Sequence, residues 1–158
     1  MPSKAANRSL TTRSPGCACR MPGPPASKTG PLYVIKLSDM APIRAYVTGN
    51  EIVRTHSLGA SGAFGLICVF GPTGPLVLSS NRAVDCDLGP GRFIAFKSFK
   101  QAAGHTALVH GNLVMGGRVD VEQPDALIYV DGPMPALEDN WRTGPGGRSA
   151  LGVLRPKA

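Results

Sequence analysis

The chain predicts an all-β fold: a single antiparallel β-barrel or sandwich flanked by basic arms. Three observations carry that expectation. Short runs rich in β-branched and aromatic residues recur at a spacing of roughly 8–15 residues. Between them stand dense turn signals, with 20 Gly and 15 Pro in 158 residues, too many breakers for long helices. No window of about 12 residues keeps a 3.6-residue apolar period. The length suits one domain with a sizeable core.

The elements follow in order. Leu32 to Leu37 mixes aromatic and β-branched residues and reads as a strand. Ile43 to Val47 alternates and reads as a second, ended by the turn signal Thr48-Gly49-Asn50. Glu51 to Arg54 supplies a third, and residues 57–62 a loop of small residues. Phe64 to Phe70 is a buried-type apolar run, followed by the strong turn Gly71-Pro72-Thr73-Gly74-Pro75 and the run Leu76 to Leu78, so 64–78 predicts a hairpin. Arg92 to Phe99 is a longer strand. Ala107 to His110 and Leu113 to Met115 flank Gly111-Asn112, and Ala126 to Val130 is the last clear strand. Short helical stretches are expected only near Ala83–Asp87 and Lys100–Ala103. No internal repeat and no heptad stand out.

The net charge of +7 is concentrated at the ends. Residues 1–30 hold five basic residues and no acid, and residues 142–158 hold four and no acid, while the middle has ten acids against eight bases. The expected organisation is a disordered Pro/Gly-rich arm over 1–30, a β domain over 31–138 and a flexible basic tail over 139–158. Such arms favour weak, nonspecific contact with nucleic acid or another acidic surface. Aromatic residues are only 6%, too few for a base-stacking platform. No apolar run reaches the ~20 residues of a membrane span. No secretory h-region is present, which favours the cytoplasm.

One stretch resembles a known family. The run Gly62 to Phe70, a turn, then Leu76-Val77-Leu78-Ser79-Ser80-Asn81-Arg82-Ala83-Val84 is similar to the first hairpin of bacterial trypsin-like serine peptidases. Further on, Pro124-Asp125-Ala126-Leu127-Ile128-Tyr129-Val130 looks like the strand that carries that family's aspartate. The resemblance spans residues 62–130 and implies one trypsin-like half-barrel. Laid on the motif, the catalytic histidine position is Arg82 and the aspartate position is Asp125. A guanidinium stays protonated and has no acceptor lone pair, so Arg82 cannot serve as a general base. An Arg82–Asp125 ion pair is the expected substitute. No nucleophile motif follows, and Ser149 is the nearest imitation. The resemblance therefore implies a catalytically inactive homologue; were the chain active, it would be a serine-type peptidase. It also implies a disulfide between Cys68 and Cys86, whereas the residues alone favour two reduced thiols.

The remaining candidates are sparse. Cys17 and Cys19 form a CxC, Asp85 and Asp87 a DxD, and His56, His105 and His110 have no metal-ligand spacing. No metal and no cofactor is expected. The leading functional expectation is a binding or interaction module with a protein partner. The alternative is a small structural β protein of an assembly such as a virus particle, its arms contacting neighbours or nucleic acid.

Overall fold

The computed structural model describes residues 33–41, 43–55, 64–120 and 123–156. The chain winds in successive rungs. The first holds β1 (Ile35–Met40), β2 (Ala45–Thr48) and β3 (Glu51–Val53). The second holds β4 (Gly65–Thr73), β5 (Leu76–Ser79) and β6 (Arg82–Val84), with a short corner strand β7 (Asp87–Gly89). The third holds β8 (Arg92–Gln101), β9 (Ala107–His110) and β10 (Leu113–Met115), with corner strand β11 (Arg118–Val119). The fourth holds β12 (Ile128–Val130), β13 (Ala136–Glu138) and β14 (Trp141–Gly144); β15 (Gly147–Ala150) folds back and β16 (Val153–Leu154) starts a further rung. Like strands stack on like, giving three faces. Face A is β1-β4-β8-β12-β16, face B is β2-β5-β9-β13, and face C is β3-β6-β10-β14-β15.

Every pairing is parallel except β14 with β15. The molecule is a β-solenoid of about 3 turns. This overturns the antiparallel barrel or sandwich, and with it the trypsin-like half-barrel. The all-β class holds. The expected hairpin over 64–78 is a corner instead: β4 and β5 lie on different faces, and each pairs with the rungs before and after it. No helix forms at Ala83–Asp87 or Lys100–Ala103, which are strand and corner. Residues 141–154 of the expected tail contain β14, β15 and β16.

The physical reason is a repeat that local patterns do not show. Asn50, Asn81 and Asn112 are 31 residues apart, and Asn140 follows after 28. Each sits at the corner between faces B and C, after a residue in the left-handed region: Gly49, Ser80, Gly111 and Asp139. That conformation turns the chain sharply and favours Gly, Asn and Asp. Each amide then bonds along the stack. Asn50 Nδ2 donates to Asn81 Oδ1 at 2.9 Å, Asn81 Nδ2 to Asn112 Oδ1 at 2.9 Å, and Asn112 Nδ2 to Asn140 Oδ1 at 2.8 Å. The second N–H of Asn81, Asn112 and Asn140 donates to the carbonyls of Val47, Leu78 and Val109. Three of these side chains are buried, yet all are satisfied.

Inside the solenoid, apolar side chains also stack rung on rung. Ile35, Ile67, Ile94, Ile128 and Val153 form one column, and Val47, Leu78, Val109 and Leu137 another. They merge into one buried core with Phe93, Phe96 and Phe99. Alternation within strands of two to ten residues supplies this core equally well in a barrel or a solenoid. The spacing of 31 decides between them, because it sets like on like.

Candidate functional site

Arg82 and Asp125 are not brought together as a pair. Arg82 opens β6 with its side chain exposed on face C, in register with Glu51 and Leu113. Asp125 lies just before β12 and serves the C-terminal end. Its carboxylate accepts from Ser149 Oγ at 3.0 Å and faces Arg142 at 3.5 Å. Its backbone carbonyl accepts from Gly152 at 2.7 Å. Among the described residues, Ser149 and Asp125 thus make the only contact that imitates a peptidase site, and no histidine joins it. A serine hydroxyl that meets a carboxylate but no imidazole lacks the general base of the peptidase arrangement.

The two cysteines are free and lie in separate environments. Cys86 belongs to the main core. Cys68 points out of face A, yet is fully buried with Ala95 and Tyr129 beneath Tyr33, Phe64 and Phe70. Lys97 stands over the Phe64 ring at 4.0 Å and Lys36 over Phe70 at 5.4 Å, closing that cover with cation–π contacts. Burial pushes both thiols above their ordinary pKa, so neither is a ready nucleophile. Cys17, Cys19 and His56 lie outside the described residues. Among the described residues no group of three His, Cys, Asp or Glu side chains is placed to hold a metal ion, and no helix is long and apolar enough to cross a membrane.

Two features have the character of sites. The first is a groove of about 540 Å³ at the corner of faces B and C, between the third and fourth rungs. Stacking sets His110 above Glu138 and Leu113 above Trp141. The β14–β15 hairpin brings Arg148 back over Trp141, with the guanidinium 3.8 Å from the ring centroid. Asp139 occupies the left-handed corner position that Gly49, Ser80 and Gly111 fill in the other rungs. His110 Nδ1 is 3.8 Å from Glu138, beyond hydrogen-bond reach, and Trp141 Nε1 is buried without an acceptor. Among the described residues, no ion pair engages Arg148 or Asp139.

The second feature is the first rung. β1, β2 and β3 are the terminal strands of their three sheets and pair on one side only among the described residues. Ala45 N–H donates to Pro75 O, and Gly49 N–H to Ser79 O. Alternate residues of a parallel strand face opposite neighbours, so the backbone groups of Tyr46 and Thr48 face the open side. Six large apolar side chains are exposed among the described residues. Four of them, Val34, Ile43, Tyr46 and Val53, belong to this rung or its approach. Tyr46 is the most exposed, at 61%. The inward Ile35, Leu37 and Met40 are only half-buried, against 0% for Ile67 and Val69 one rung on.

Sequence reasoning missed both features. The groove joins residues some 30 positions apart through the undetected repeat, and its Trp141 and Arg148 fall in the supposed tail. The signal was present in the aligned stretches AYVTGN, LVLSSN and ALVHGN. No family model, curated protein or solved structure matches the chain.

Proposed function

We propose that the chain is a non-catalytic interaction module, a structural β-solenoid that assembles through its open first rung. One observation carries this reading: among the described residues, strand edges without a partner and most of the exposed large apolar side chains coincide at the same end. An edge of this kind is a template for pairing with another chain, and apolar cover on it marks an interface. The partner is a second copy of this chain. A contact about a twofold axis needs only one self-complementary patch, and this end offers strand edges and apolar side chains together. The basic charge of residues 1–30 adds a weak, salt-dependent attraction to acidic surfaces, nucleic acid included.

The test is the mass of the full chain in solution by light scattering. A dimer is expected at about 100 µM, a concentration at which even a modest interface is populated. Tyr46→Pro removes only an N–H that faces the open side, so the fold remains and the mass falls to that of a monomer. A wild-type chain that is monomeric at this concentration overturns the proposal. So does a folded Tyr46→Pro variant that stays dimeric.

A further inference from the structure

The groove at the third and fourth rungs is independent of the first rung. We infer that it binds an acidic saccharide, with the sugar carboxylate on Arg148 and ring hydroxyls on Asp139 and His110. The argument runs from what the lining lacks. Arg148 is an exposed cation whose guanidinium lies over the Trp141 indole, 3.8 Å from the ring centroid, and among the described residues no carboxylate pairs with it. A guanidinium fixed in this way presents its donor fork to a planar carboxylate. The half-exposed His110 side chain lines the same groove. These groups call for an acceptor-rich, negatively charged ligand.

Asp139 narrows the class. An exposed carboxylate beside the cation repels a bare anion such as phosphate, but it accepts hydrogen bonds from hydroxyls. A ligand that carries hydroxyls next to its charge satisfies both walls. The volume of about 540 Å³ falls within the range of small-molecule sites and suits a short saccharide. Leu113 gives the lining an apolar contact for the C–H face of a sugar ring.

Trp141 is the only tryptophan of the chain, so its fluorescence reports on the groove directly. Titrating the full chain with a galacturonic acid trimer should give a saturable emission change. A neutral galactose trimer and inorganic phosphate should each bind at least tenfold more weakly. Arg148→Ala should lose at least tenfold in affinity for the uronate and Arg148→Lys less, since a lysine keeps the charge without the fork. Asp139→Asn retains a residue that tolerates the left-handed corner and should weaken uronate binding while leaving phosphate unchanged or stronger. Circular dichroism of each variant confirms the fold. The inference fails if the uronate gives no saturable change, if the neutral trimer binds equally well, or if phosphate alone matches the uronate. It also fails if a folded Arg148→Ala binds like wild type.

Discussion

The two ends of the solenoid solve the same problem differently. Every stacked sheet must stop somewhere, and the last strand leaves backbone groups and core side chains without a neighbour. At the C-terminal end the inward column Ile52–Ala83–Val114 finishes in Arg142 rather than another apolar residue. Arg142 donates to Pro124 O at 3.0 Å and faces Asp125. Asp125 also holds Ser149 and the backbone of Gly152, while Leu151 is buried against the core. β15 turns back antiparallel and covers the edge of β14. At the first rung no comparable charge, hairpin or fold-back is present among the described residues. One end is finished with polar groups; the other presents apolar ones. The proposed assembly through the first rung rests on that difference.

Four substitutions break or sharpen the contrast, each read by denaturant unfolding of the full chain. Asn112→Ala should cost most, about 3 kcal/mol, because it takes away the acceptor of both the Asn81 backbone N–H and its side-chain amide in a buried site, together with the bonds that Asn112 Nδ2 donates to Leu78 O and Asn140 Oδ1. A loss below about 1 kcal/mol, the worth of one ordinary hydrogen bond, would mean the ladder is not a structural determinant. Arg142→Ala should cost about 2 kcal/mol by removing a charge-assisted bond at the closed end. It should also raise self-association, because that end then loses its polar finish; an unchanged mass would separate capping from stability. Asn50→Ala should cost only about 1 kcal/mol, since Asn50 is half-buried at the open end and its loss leaves fewer groups stranded. Equal costs at Asn50 and Asn112 would show that the first rung is already covered in solution. Ser149→Ala should cost least, about 0.5 kcal/mol. The wild-type serine should remain unlabelled by a fluorophosphonate, and labelling would reopen the question of catalysis.

The strands were easier to read than their partners. Ala107–His110 and Leu113–Met115 lie where the residue pattern puts them, and the expected strand Ile43–Val47 overlaps β2 at Ala45–Val47. Inside–outside alternation is a local property, so it survives in a single sequence. Pairing is not local. The run from Phe64 through Leu78 has the composition of a hairpin, and Gly71 and Pro72 suit a reversal as well as a corner. What sends β5 onward is the stacking of Asn81 on Asn50 and Asn112, visible only when the chain is laid against itself. The resemblance at Arg82 and Asp125 had the same source, since strand, small polar residues and strand recur wherever a corner follows a buried run. The groove was illegible for a further reason. Arg148 reaches Trp141 through a two-strand fold-back inside a segment whose charge suggested a solvated tail.

Because each amide in the corner column offers its neighbour the same atoms in the same places, the column has no preferred number of members. Copying residues 76–106 once more into the chain would insert a whole extra storey, with its own asparagine accepting from below and donating above. Length is therefore a property this architecture can change in units of one turn without redesigning either terminus.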